Sequence, residues 1–107
     1  MIRYVEKNNN LEIILMEKAI NVHNSPDIRN SILKLLEKNK VEDKNIYVNL
    51  ISVENIDSCA VGLFLELRKL CLRAECNLIL KNVSDRIEKI LTILRVKSFF
   101  NIETPLI

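Results

Sequence analysis

Asp57, Ser58 and Cys59 are consecutive, and they precede a long apolar stretch. A hydroxyl or a thiol at the start of a helix faces unpaired backbone N–H groups and the positive end of the helix dipole. That setting favours an added phosphate or a thiolate. The same residues have a plainer structural use: Asp57 and Ser58 suit a helix N-cap, and Cys59 packs as a small hydrophobe. His23 is the one histidine and sits among Asn21, Asn24 and Ser25, so it reads as an exposed loop residue. The three cysteines, Cys59, Cys71 and Cys76, are odd in number and form no Cys-x-x-Cys. With no secretory leader at the start, this implies a reduced, cytosolic protein. One His and three scattered Cys do not supply zinc-ligand spacing, so no metal is expected. A phosphate-binding loop or a dinucleotide fingerprint needs several glycines, whereas Gly62 is the only one. No cofactor and no small-molecule substrate are therefore expected.

The elements that position Asp57, Ser58 and Cys59 can be read on both sides. Residues 46–50, Ile-Tyr-Val-Asn-Leu, are apolar and rich in strand formers, as in a buried strand. The helix from Ser58 to about residue 74 carries Glu66, Lys69 and Arg73 as a narrow polar stripe and is expected to be covered on most sides, with Leu63, Leu67 and Leu70 buried. Strand, polar turn, helix is the arrangement that forms the functional rim of an α/β domain.

Residues 2–6 and 11–16 read as an antiparallel hairpin about Lys7-Asn8-Asn9-Asn10. Residues 17–24 read as polar and irregular. Ser25-Pro26-Asp27 starts a helix that ends near residue 39, with Ser25 as N-cap and Ile28, Ile32, Leu35 and Leu36 on its apolar face. Residues 76–81 are a further strand. Ser84 caps a third helix with Ile87, Ile90, Leu91 and Leu94 on one face, and residues 98–102 form a short edge strand. Alternating strands and helices call for parallel strands joined by crossovers. The expected fold is a single α/β domain over residues 1–107, core about 2–103, with a mixed four- to five-stranded sheet and helices packed against it.

The chain has 107 residues, 49% hydrophobic and 28% charged, with a net charge of +2. That length is one domain. So slight a charge balance does not argue for nucleic acid or a membrane surface. Charges interrupt every apolar stretch, so no membrane insertion is expected.

Asp57-Ser58-Cys59-Ala60-Val61-Gly62, following a strand, resembles the Asp-Ser-Ser-Gly-Leu-Gly signature of STAS domains, the bacterial anti-sigma factor antagonists and their relatives. The similarity runs without a gap over residues 46–103 and more loosely back to Leu11. It implies the same fold, a divergent member of the family, and a non-enzymatic regulatory module that binds a kinase-like anti-sigma factor in a partner-switching pathway. It implies that Asp57, Ser58, Cys59, Ala60, Asn21 and His23 meet the partner. The family's phosphoacceptor position falls on Cys59, with Ser58 as a displaced candidate, so phosphorylation by the usual route is not expected. The Gly-Glu-Leu-Asp of the family corresponds to Lys18-Ala19-Ile20-Asn21. Two glycine turns correspond to Glu75-Cys76 and Leu94-Arg95-Val96, where other backbone conformations are expected. A second reading is a scaffold subunit of a stressosome or lipid-transport complex. A third, redox sensing, rests on Cys59 alone.

Overall fold

A computed structural model describes residues 2–105; Met1, Leu106 and Ile107 of the expected domain lie outside the described residues. The elements are β1 (Ile2–Lys7), β2 (Asn10–Leu15), β3 (Ala19–Ile20), α1 (Ser25–Lys38), β4 (Asn45–Asn49), β5 (Asn55–Ile56), α2 (Ser58–Arg73), β6 (Asn77–Lys81), α3 (Asp85–Ile93), a 3-10 turn (Lys97–Phe99) and β7 (Asn101–Glu103). The five-stranded sheet runs β1-β2-β4-β6-β7. β1 and β2 are antiparallel, and the remaining neighbours are parallel. The expected fold class is what the chain adopts, with β4 at the centre.

Period-two alternation decides which side of the sheet is covered. Leu11, Ile13 and Leu15 of β2, Ile46 and Val48 of β4, and Leu78 and Leu80 of β6 all point one way and are buried. Against them pack Ile28, Ile32 and Leu35 of α1, Leu63, Phe64 and Leu67 of α2, and Ile87 and Leu91 of α3. The other side of the sheet carries paired polar groups among Val5, Ile14, Tyr47 and Ile79. Lys81 Nζ reaches Glu12 Oε1 at 2.8 Å and lies 5.7 Å from the centre of the Tyr47 ring, and Asn49 Nδ2 donates to Glu12 Oε2 at 3.2 Å. Asn77, Asn45 and Asn10 form a ladder across three strands, each amide donating to the next at 3.2 Å. The hydrogen bond from Lys81 holds the Glu12 carboxyl below its ordinary range.

Several local expectations change. Ser25 is the first helical residue of α1 and not its cap; Asn24 occupies the cap position. The stretch read as irregular contains β3, which pairs in parallel with β5 as a second, two-stranded sheet. Leu70 is half-buried, and Leu72 is 61% exposed, so α2 is covered on fewer sides than its composition suggests. α3 stops at Ile93, which leaves Leu94 exposed. The edge strand starts at Asn101, after the 3-10 turn, three residues later than expected.

The two turns that lack the family's glycines do not find another conformation. Glu75 has φ 57° and Arg95 has φ 59°, both in the left-handed region. Cys76 N donates to Cys71 O at 2.9 Å, and Val96 N to Leu91 O at 3.0 Å, which are the six-to-one bonds of Schellman helix endings. Asn8, Asp43 and Asn82 are left-handed as well, while Gly62 sits inside α2. A left-handed non-glycine residue costs about 1–2 kcal/mol. Arg95→Gly should therefore raise stability, by about 0.5–1 kcal/mol once the greater freedom of glycine in the unfolded chain is subtracted. Urea unfolding of the two proteins measures it; an unchanged or lower midpoint would show that the Arg95 side chain contributes more than the turn costs.

Candidate functional site

Asp57 is placed by the small β3–β5 sheet. Asp57 N donates to Ile20 O at 3.2 Å, and Glu54 N donates to Lys18 O at 2.7 Å, so the two connections at the carboxyl ends of β2 and β4 are tied together. The Asp57 carboxylate then divides its oxygens. Oδ1 accepts Ala60 N at 3.1 Å and caps α2; Oδ2 accepts Val22 N at 3.0 Å and holds the loop before α1. Asp57 is thus half-buried, and it is both the helix N-cap that its sequence position suggests and a tether for the loop. The loop it holds is itself closely bonded. Asn21 Oδ1 accepts His23 N at 2.9 Å, Asn24 Oδ1 accepts Asn21 N at 2.8 Å, and Asn24 Nδ2 donates to Ala19 O at 2.8 Å. The Asn21 side-chain oxygen is therefore spent on the shape of the loop, and His23 is exposed at its tip.

With the cap fixed, the first turn of α2 sorts its residues by direction. Ser58 and Cys59 are exposed; Ala60 is fully buried and presents no side-chain surface to a partner, against the sequence expectation. The sequence-derived set thus divides: His23, Ser58 and Cys59 face outward, Asp57 and Asn21 organise the backbone, and Ala60 belongs to the core. Cys59, Gly62 and Leu63 of α2 face Ser25, Pro26 and Arg29 of α1 across a groove of about 310 Å³. Arg29 and Glu66 close its far end with a forked pair, 2.8 Å from Nε to Oε1 and 2.6 Å from Nη2 to Oε2. The hydrogen bond to Glu66 holds the Arg29 guanidinium above its ordinary range and the Glu66 carboxyl below its own. The pair is exposed, so it sets the spacing of α1 and α2 more than it adds stability. A Cβ on Gly62 would meet nothing within 4 Å. The glycine is not needed for its backbone; it leaves the groove open.

Exposed apolar residues also gather at this end of the sheet. Met16 follows β2, Ile51 follows β4, and Val22 lies in the loop held by Asp57; they are 41%, 59% and 57% exposed. The sequence reading missed them. Their signal was present as single apolar residues inside polar connections, but nothing local distinguishes such a residue from one that turns inward. Among the described residues no three His, Cys, Asp or Glu side chains are grouped as a metal site would require, and no helix is long and apolar enough to cross a membrane.

A family model described as the STAS domain matches residues 3–106. Among solved structures, a candidate anti-sigma factor antagonist from Thermotoga maritima superimposes with a TM-score of 0.80 at 19% identity, over 98% of this chain and 87% of that one. The anti-sigma factor antagonist SpoIIAA, in its unphosphorylated form, gives 0.76 at 20% identity, over 97% and 89%. A sulfate transporter family protein from Wolinella succinogenes gives 0.76 at 17% identity, over 92% and 80%. At such identities these are likenesses of fold. No curated protein matches the chain.

Two substitutions separate scaffold from surface. Asp57→Ala removes a cap and a loop tether and should lower stability by about 2 kcal/mol; a loss under about 0.5 kcal/mol in chemical denaturation would refute the double role. Gly62→Ala should raise stability by up to about 1 kcal/mol, because the helix gains propensity and the methyl meets no neighbour. A destabilised Gly62→Ala protein would mean that the groove is closed in solution.

Proposed function

We propose that this chain, which belongs to the STAS domain family, is a non-enzymatic protein-binding module that acts as an anti-sigma factor antagonist in a cytoplasmic partner-switching pathway. Its binding surface is the rim made by Ser58, Cys59 and His23 together with Met16, Val22 and Ile51. The observation that carries the reading is the division of the Asp57 carboxylate. It fixes two connections and a helix start into one rigid surface while Ser58 and Cys59 stay exposed on it. Exposed apolar residues with polar neighbours are what a protein-binding rim requires. The likeness of fold to anti-sigma factor antagonists supports the same reading, and a kinase-like anti-sigma factor is the partner it calls for.

The switch at this rim is altered. Phosphate on the first turn of α2 would add about −1.5 to −2 charges beside Asp57. The helix N-terminus would stabilise that charge, while an acidic partner surface would be repelled. The family's acceptor position carries a thiol, Cys59. Ser58 is one residue earlier, which turns its side chain by about 100° around the helix. The module is then a permanently competent binder. A second reading, a scaffold subunit within a stressosome or transport complex, has the support of the likeness to a sulfate transporter family protein.

Co-purification from the source organism tests the role: a kinase-like anti-sigma factor supports the first reading, and transporter or stressosome components the second. The switch is tested with that kinase and ATP on wild type, Cys59→Ser and Ser58→Ala, by intact mass and peptide mapping. Only Cys59→Ser should gain phosphate; phosphate on wild-type Ser58 restores an ordinary switch with a displaced acceptor.

A further inference from the structure

Cys71 and Cys76 are two thiols that the rim does not use. They occupy the two positions that a Schellman ending brings together: the residue whose carbonyl accepts the six-to-one bond, and the residue that donates it. Such a contact is ordinarily between apolar groups, and at the end of α3 the corresponding residues are Leu91 and Val96. At the end of α2 both are cysteine, with Cys76 N donating to Cys71 O at 2.9 Å and each thiol a neighbour of the other. Cys71 is 2% and Cys76 8% exposed. Both line a cleft of about 290 Å³ whose one charged side chain is Arg68, its Nε occupied by Phe99 O at 2.8 Å.

We propose that Cys71 and Cys76 close reversibly into an intramolecular disulfide by exchange with a low-molecular-weight disulfide of the glutathione class. Cys76 is the first nucleophile. It is the more exposed of the two. Cys76 gives its proton to solvent and attacks the disulfide, forming a mixed disulfide and releasing one thiolate. Cys71 then loses its proton, attacks the Cys76 sulfur and releases the second. Two protein thiols and one small disulfide become one protein disulfide and two small thiols, with the protons returned to the leaving groups. Burial pushes both protein thiols up, and the neighbouring Cys76 sulfur raises Cys71 further. Closure is therefore slow at neutral pH and faster as pH rises. The bond would pin the last turn of α2 to the residue entering β6, at the end of α2 away from Ser58 and Cys59.

The test uses the Cys59→Ser protein, so that the exposed thiol does not compete, in glutathione buffers of increasing oxidised fraction. The expected product is lighter by two hydrogens, resists alkylation after denaturation, reverts with dithiothreitol and unfolds at a higher urea concentration. Adding Cys71→Ser or Cys76→Ser should abolish the mass loss. Stable glutathione adducts on either cysteine would overturn the proposal. So would an unchanged mass in the folded protein under conditions where the urea-unfolded chain closes the same bond.

Discussion

The rim depends on one carboxylate with two acceptor oxygens and two backbone donors from different parts of the chain. Val22 and Ala60 are far apart in sequence, and Asp57 is the group that both need. A helix start normally leaves its first N–H groups to solvent. Here one of them is satisfied by the same side chain that anchors the neighbouring loop, so the loop and the helix hold a fixed relation. The adjoining β3–β5 pairing is only two residues long on each side and could not hold that relation alone. Together they let a surface built from connections behave as part of the scaffold.

Most of the fold was legible because its elements are strongly periodic. The alternation of Leu11, Ile13 and Leu15 and the helical spacing of Ile28, Ile32 and Leu35 each describe a face, and each face is buried. What escaped is short or long-range. A two-residue strand such as Ala19–Ile20 has no period to detect, and it exists only because Asn55–Ile56 lies beside it. The second bond of Asp57 joins residues 35 apart and has no local signature. The signature marks the turn from Asp57 to Ala60 but does not sort which of its side chains face outward. Adjacent residues on a helix diverge widely in direction, so Ala60 enters the core one step after Cys59 leaves it.

The helix endings show how geometry can outlast the residues that usually permit it. Glu75 and Arg95 adopt left-handed angles without glycine, and Asn8, Asp43 and Asn82 do the same where short polar side chains make it easier. Locally the absent glycines favour a change of conformation, yet both helix endings keep the left-handed angle without them. The hydrogen bonds at the ends of α2 and α3, and the buried side chains they bring together, outweigh the local cost.

The uncovered side of the five-stranded sheet bears on how the molecule behaves in a crowded solution. Its central groups are already paired with one another: Lys81 with Glu12, Glu12 with Asn49, Asn49 with Asn82, and the three asparagines of the ladder in turn. Covering this side with another sheet would strip water from charged groups and offer them no better partners in return. Two copies meeting over these groups would gain little from them. The paired groups are better left to water than covered, so this part of the sheet needs no second layer of helices over it.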